Sequence, residues 1–506
     1  MSDLTFQLIA LAIYFIAMVG IGIYAFRKTK DHEDYMLGGR NLSPGTAALS
    51  AGASDMSGWL MMGLPGAIYV SGLIEAWIAI GLTIGAYLNW RFVAPRLRAY
   101  TEVARNSITI PSFFENRLRD RSRLLRIVSG IVILIFFTFY ISSGMVAGGV
   151  FFEGSFGGDY LVGMLLVTGV TLLYTLVGGF LGASFTDVVQ GLMMMLALVV
   201  IPVVAIFTLG GIDDVSAAIV ESGVEHTGLI PAAGLDWVTT IAVVSALAWG
   251  LGYFGQPHII VRFMAMRDPG SATAARRIGM SWMTLSMVGA VTAGVIGVAY
   301  VQRNGIELSD PEAIMLVMAQ VMFHPIVSGF ILAAVLAAIM STMSSQLIVC
   351  SSALVEDLYL VIAKKQPSAR KLVILGRACV FAVAVIAGVL AFDPTGTILS
   401  LVGFAWAGFG AAFGPAILLS LFWRKLTNWG ALAGMVTGTA TVFAWSALGT
   451  DLYEIVPGFI VSLIASIVVS LLTYKLDPEI DGEFDRAKTL VVKKKVDADE
   501  EETVSA

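Results

Sequence analysis

The stretch Ser50-Ala51-Gly52-Ala53-Ser54-Asp55-Met56-Ser57-Gly58-Trp59 places two glycines, three serines and a carboxylate inside an apolar run, 45–71, otherwise long enough to cross a bilayer. A lipid-facing helix carries residues such as Leu and Val there, because backbone groups left unpaired in hydrocarbon have no water to bond. A second stretch, Trp249-Gly250-Leu251-Gly252-Tyr253-Phe254-Gly255-Gln256-Pro257, interrupts the run 237–256 in the same way. Unwound backbone survives at membrane depth only where it is buried in protein or lines a cavity. The two breaks therefore mark the interior of a polytopic, all-α membrane protein.

Outward from these breaks, apolar runs of roughly 20 residues, the length of a bilayer span, recur along nearly the whole chain. We count thirteen: 5–26, 45–71, 73–92, 124–151, 160–180, 188–210, 237–256, 279–301, 314–345, 371–392, 397–422, 429–449 and 454–475. The ninth reads as one long helix or as one preceded by a separate short helix over 314–323. Of the 506 residues 57% are hydrophobic and 13% charged, and the mean hydropathy is +0.85. Soluble domains are about a quarter charged. Residues 1–475 form one transmembrane domain, and 476–506 read as a solvated, disordered cytoplasmic tail ending in an acidic cluster. The first run has Asp3 and no Lys or Arg ahead of it, and no cleavage site of small residues behind it. It reads as a retained first helix with its N-terminus outside rather than as a signal peptide.

The distribution of charge tests this count. With the N-terminus outside and the C-terminus inside, thirty of the 31 Lys and Arg fall in cytoplasmic segments, among them Lys30, Arg262, Lys364 and Lys365; only Arg303 lies outside. One missed or invented span inverts every later loop and destroys this asymmetry. The external loop 211–236 carries Asp213, Asp214, Glu221, Glu225 and Asp236 and no basic residue. Tyr35, Trp77 and Trp90 read as aromatic residues of the interface belt.

Spans 2–6 (about 45–210) and 7–11 (about 237–422) are two sets of five. Five is odd, so the second set enters the membrane in the opposite sense, and each set opens with an interrupted span. Paired interruptions in inverted repeats point to the binding site of a secondary transporter. Enzyme readings fare worse. Cys350 and Cys379 lie in apolar runs and offer neither a disulfide framework nor metal spacing, and His32, His226, His258 and His324 are scattered. His258, at a cytoplasmic helix end, has no triad partner for an intramembrane hydrolase. The chain reads as a transporter surrounded by lipid, with no nucleic-acid partner and no obligate protein partner.

Asp55 is the sharpest chemical signal, since a carboxylate at the centre of a span costs about 2.5–3.5 kcal/mol even on a lenient scale. It serves either as a local cap at the break or in cation coupling. In span 9, Ser341, Ser344 and Ser345 share one helix face. Such hydroxyls commonly bond back to the preceding turn. A hard cation wants several oxygens, which freed carbonyls from a broken helix and two hydroxyls from this neighbouring span supply. Tyr140, Trp249 and Tyr253 are candidates for the wall of a solute pocket or for ordinary packing. Ser57 and the backbone at Gly58 offer polar groups to a solute at the first break. Arg40 and Asp187, beside spans 2 and 6, are gate residues or boundary charges.

Asp34-Tyr35-Met36-Leu37-Gly38-Gly39-Arg40, then Ala48-Leu49 with the span 2 stretch through Leu60, resemble the sodium:solute symporter family, and within it the bacterial sodium/proline symporters. The span 7 stretch through His258 and Ala337-Ala338-Ile339-Met340-Ser341-Thr342 fit the same group. The resemblance covers residues 5–475, leaving out 302–313 and the acidic tail. It implies a leucine-transporter-like core of two inverted five-helix repeats and sodium-coupled import of L-proline by alternating access across the plasma membrane of a bacterium. A different small amino acid or a carboxylate is the alternative solute. It further implies Na+ bound near Ala53, Met56, Ala338, Ser341 and Thr342, with Asp55 and Ser57 needed for coupling. Proline is implied beside Trp59, Tyr140, Trp249, Tyr253 and Pro257, and gating or coupling roles at Arg40 and Asp187.

Overall fold

The computed structural model describes residues 2–28, 37–221, 228–231, 234–363, 368–393 and 396–505. Outside them lie Lys30, His32, the Asp34-Tyr35-Met36 start of the family stretch, Glu225, His226, Lys364 and Lys365. A segment in hydrocarbon must satisfy its own backbone, and among the described residues there are helices and no strand, with a single isolated bridge between Leu42 and Met266.

In chain order the helices are α1 (Asp3–Lys28), α2 (Pro44–Asp55), α3 (Leu64–Ser71), α4 (Ala76–Leu88), α5 (Ala94–Val103), α6 (Ile110–Arg117), α7 (Leu124–Phe156), α8 (Tyr160–Leu209), α9 (Ile212–Glu221) and α10 (Trp237–Gly252). They continue as α11 (Pro257–Met264), α12 (Ala272–Asn304), α13 (Ile314–Met322), α14 (Pro325–Ser352), α15 (Ala369–Ala391), α16 (Ile398–Phe422), α17 (Asn428–Leu448), α18 (Ile455–Thr473) and α19 (Pro478–Ser505). Each of the thirteen apolar runs is helical. Among the described residues 11 helices are long and apolar enough to cross a membrane. The remaining two runs are 45–71, broken after Asp55, and 160–180, whose apolar helix Tyr160–Leu176 is short. The ninth run is preceded by the separate short helix α13.

Two helices lie at the centre: α14 and α16, whose most apolar windows are 83% buried, against 28% for α1 and α17. Around them, small residues let backbones touch. Gly81 and Gly85 of α4 face the backbone at Leu247 and Gly250 of α10, and Gly430, Gly434 and Gly438 of α17 face Ser470, Ser466 and Ser462 of α18. Large apolar side chains such as Leu173, Phe207 and Val389 are left on the outside, as suits a lipid-facing surface.

Four readings are corrected. The tail is not disordered as expected: α19 is helical, Glu483 is buried against Arg119 at 2.7 Å, and Phe484 lies edge-on to Tyr100 and beneath the Arg117 guanidinium. Its charges hide a short apolar edge, Phe484 and Ala487, that covers buried arginines. Gly179 (φ 59°, ψ −167°) breaks α8 between spans 5 and 6, and the helix resumes directly after it, so span 6 starts earlier than 188 and Asp187 lies inside it rather than at its edge. Trp90 is buried against Phe263 at 4.5 Å rather than in an interface belt. Arg262 and His258 are fully enclosed in α11, not in a cytoplasmic loop or at its edge.

Candidate transport site at two broken helices

The first break begins with a well-defined start. Ser43 caps α2 by accepting the Thr46 N–H, and Pro44 occupies the first turn, a position where its missing N–H costs nothing. The helix ends where Met56 leaves helical geometry (φ −84°, ψ 85°), and a π turn over Trp59–Gly63 restarts it. The Asp55 carbonyl collects the freed donors: it accepts the Ser57 N–H (3.0 Å), the Trp59 indole N–H (3.1 Å) and the Tyr140 hydroxyl (3.2 Å). Its carboxylate accepts a hydrogen bond from the Tyr253 hydroxyl through one oxygen, while the other, Oδ1, is buried without a partner. The Ser57 hydroxyl accepts the Trp59 N–H at 3.4 Å.

The second break is held by polar side chains. α10 passes into a 3-10 turn over Tyr253–Gly255, Gln256 is extended, and Pro257 opens α11. Asn89 donates to the Tyr253 carbonyl (2.8 Å), the Gln256 amide to the carbonyls of Gly252 and Trp406 (3.2 Å each), and the Trp406 indole to the Trp249 carbonyl (2.8 Å). Backbone that has lost its helical partners is thus bonded from neighbouring helices, the condition for irregular structure at membrane depth.

At the first break the hydroxyls expected from α14 arrive. Ser341 Oγ lies 2.7 Å from the Ala53 carbonyl and 3.1 Å from that of Ala338, and Thr342 Oγ1 lies 3.4 Å from the Ala53 carbonyl. Met56, where α2 leaves helical geometry, is also buried. Four oxygens from two helices converge where α2 ends, with Asp55 two residues further along the chain. Hydroxyl and carbonyl oxygens are the donors a hard cation takes.

The aromatic wall sits between the breaks. Trp249 is 6.4 Å from Trp59, 5.3 Å from Tyr453 and 6.4 Å from Trp406, ring centre to ring centre, and Tyr253 meets Trp406 edge-on at 5.2 Å. Trp59 and Tyr140 are 1% exposed, so this cluster closes the centre. On one side of it a cavity of about 370 Å³ is lined by Glu75, Ser245, Trp249, Trp445 and Tyr453. A smaller one, about 30 Å³, is lined by Thr109, Pro257, Val261, Ser352 and Asp357. Pro257 therefore borders the second cavity, while Trp249 borders the first.

Arg40 and Asp187 are not boundary charges. Arg40 is buried and donates to the carbonyls of Met264 (3.3 Å) and Ser107 (2.6 Å) and to Thr101 Oγ1 (3.2 Å), which neutralises the negative end of α11. Asp187 accepts from Ser50 Oγ at 2.7 Å and pairs with Arg262 at 3.3 Å. Arg262 also donates to Ser345 Oγ (2.7 Å) and to the His258 carbonyl (2.6 Å). One fully enclosed ion pair thus ties α2, α8, α11 and α14 together. Arg262 went unrecognised as a site residue; the signal was a charge one turn past His258 on a half-helix otherwise apolar. Trp406 was missed too, an aromatic among the glycines of span 11.

The pattern described as the Sodium:solute symporter family matches residues 35–438. The chain belongs to the sodium:solute symporter family. Among its relatives, the osmoregulated proline transporter OpuE of Bacillus subtilis (strain 168) is 54% identical over 470 residues, 92% of this chain and 94% of that one. The sodium/proline symporter of Staphylococcus aureus (strain JH9) is 48% identical over 502 residues, 96% of each chain. The fold recurs in a Na+-coupled sialic acid symporter solved in a substrate-bound outward-open state, with a TM-score of 0.79 at 19% identity, covering 93% of this chain and 99% of the other. MHP1, a nucleobase-cation-symport-1 family transporter in a closed conformation, aligns with a TM-score of 0.55 at 15% identity over 89% of this chain and 98% of its own. This multi-pass membrane symporter therefore has the leucine-transporter-like fold that the family resemblance implies.

Proposed function

We propose that this symporter imports L-proline together with Na+ by alternating access, in the cytoplasmic membrane of a bacterium, with its N-terminus outside and its C-terminus inside. The observation that carries the reading is the convergence of the Ala53 and Ala338 carbonyls with the Ser341 and Thr342 hydroxyls at the end of a broken helix. Na+ occupies these oxygens beside Met56, and Asp55 balances its charge. Proline lies between the breaks, its ring against Trp59, Trp249 and Tyr253 and its charged ends toward the freed backbone at Ser57 and Gly58. A mostly apolar pocket with a few placed polar groups suits a small zwitterion. The relatives of nearly half or more identity are named for proline.

Helices drawn from both repeats, about 45–210 and 237–422, rearrange around this centre, exposing the aromatic cluster first to the cavity above Trp249 and then to that beneath Pro257. Arg40 and the Asp187–Arg262 pair act as links that break on inward opening. No step is chemical, so the protein works as a carrier and not as an enzyme. One charge entering across 100 mV releases about 2.3 kcal/mol and a tenfold sodium gradient about 1.4 kcal/mol. One Na+ per proline thus supports accumulation on the order of 500-fold. The test is uptake of radiolabelled proline into proteoliposomes with an inward sodium gradient and an inside-negative potential. Accumulation that persists in sodium-free medium on a proton gradient refutes the sodium assignment, and sodium-driven uptake of another solute in place of proline refutes the substrate.

A further inference from the structure

Between α4 and α12 runs an open apolar groove of about 340 Å³, away from the transport site, lined by Ile80, Thr83 and Ile84 on one side and Thr284, Val288 and Thr292 on the other. Two of its hydroxyls are already used: Thr83 donates to the Ala79 carbonyl at 2.7 Å and Thr292 to that of Val288 at 2.6 Å. With those hydroxyls bonded to their own helices, the groove suits hydrocarbon rather than water.

The groove has a charged end. On α4 the stripe Ile80, Ile84, Tyr87 runs along one face at helical spacing, and Arg91 follows it in the π turn Asn89–Val93 that continues the helix. On α12 the corresponding face descends from Val288 through Thr284 to Arg276, whose guanidinium lies over the Tyr87 ring at 5.6 Å. Arg91 is exposed and lies over Phe92 at 5.3 Å. Among the described residues neither arginine pairs with a carboxylate. Seven residues of helix place Arg91 about 10 Å beyond Ile84, the distance from mid-leaflet to the headgroup level of a core roughly 30 Å thick. Basic pockets between spans at the cytoplasmic face are suited to anionic headgroups.

We propose that this groove is a binding site for an anionic phospholipid, with one acyl chain between α4 and α12 and its phosphate held by Arg91 and Arg276. The complementarity is of both kinds at once: an apolar channel, two of whose hydroxyls are bonded to their own helices, and two cations on ring faces where that channel reaches the headgroups. Because each basic residue near the surface contributes about 1 kcal/mol, Arg91→Gln and Arg276→Gln each weaken phosphatidylglycerol binding about fivefold, and the double variant weakens it about 25-fold.

The experiment is native mass spectrometry of the full-length protein in detergent, titrated with phosphatidylglycerol and with phosphatidylcholine of the same chains. The parent retains phosphatidylglycerol preferentially, the double variant loses that preference without losing phosphatidylcholine, and Val288→Trp, which fills the groove, weakens both lipids. Thermal unfolding checks that each variant is folded, and the single arginine variants carry the test if the double one is not. Equal retention of the two lipids by the parent overturns the proposal, as does unchanged phosphatidylglycerol affinity in both single variants. Displacement of the lipid by glycerol phosphate alone shows a phosphate site without a chain and likewise overturns it. Cross-linking of two copies through cysteines placed at Ile84 and Val288 assigns the groove to a dimer contact instead.

Discussion

Removing the Ser341 hydroxyl isolates the proposed cation site from the rest of the protein. Ser341 Oγ stands 2.7 Å from the Ala53 carbonyl, in a fully buried position on α14. Alanine there keeps the helix, because it is the best helix former, and takes away one oxygen of four. An interaction with a charged group in a buried site is worth about 1.5–3 kcal/mol. At 1.4 kcal/mol per factor of ten, the half-saturating sodium concentration for proline uptake rises about 10- to 150-fold in Ser341→Ala. Thr342 Oγ1 is further out, at 3.4 Å, and a weaker contact worth about 0.5–1.5 kcal/mol gives Thr342→Ala only a 2- to 12-fold rise. Thr342→Ser keeps the oxygen and stays near the parent. The assay is the initial rate of proline uptake into proteoliposomes against sodium concentration at saturating proline, normalised to reconstituted protein. An unchanged sodium requirement with less protein in the membrane refutes the reasoning, and so does a larger effect at Thr342 than at Ser341.

Three further outcomes follow from the same geometry. Asp55→Asn raises the sodium requirement by tenfold or more, and Asp55→Glu raises it less because the charge survives; sodium titration of uptake decides between them. Trp249→Ala raises half-saturating proline at saturating sodium, because it removes a wall shared with Trp59, Trp406 and Tyr453, whereas Tyr140→Phe, which loses one 3.2 Å bond to Asp55, changes it by less than about tenfold. Arg262→Met leaves the Asp187 carboxylate buried and unpaired, which costs about 3–5 kcal/mol; the yield of folded protein falls, measured by thermal unfolding in detergent, and is restored in the double variant Asp187→Leu/Arg262→Met, which is folded and inactive in uptake.

The broken helices were legible because hydrocarbon is so intolerant of polar backbone: glycine, serine and Asp55 in one apolar run have few explanations. Helical spacing singled out the face of Ser341, while Thr342 came only through the family resemblance. What sequence hid were partners drawn from distant segments. Arg262 looked like one of many cytoplasmic cations until its fold placed Asp187 beside it, and nothing in the run 397–422 says that Trp406 braces the break at Trp249. The tail failed differently. Its charge density hid the edge formed by Phe484 and Ala487, which acquires meaning only against Arg117 and Tyr100, more than 350 residues earlier.

The glycine contacts between α4 and α10 have a mechanical consequence. Where Gly81 and Gly85 meet the backbone of Leu247 and Gly250, no side chain is available to change rotamer and absorb sliding. The pair must travel as a single lever, and so must α17 and α18 where glycine lies against serine. The seam that joins Trp59, Trp249, Trp406 and Tyr453 is of the other kind, since ring faces glide past one another at small cost while remaining in contact. Stiff joints of glycine and sliding bearings of aromatic rings thus divide the molecule into the bodies that can move, and one such bearing lies across the path of the solute.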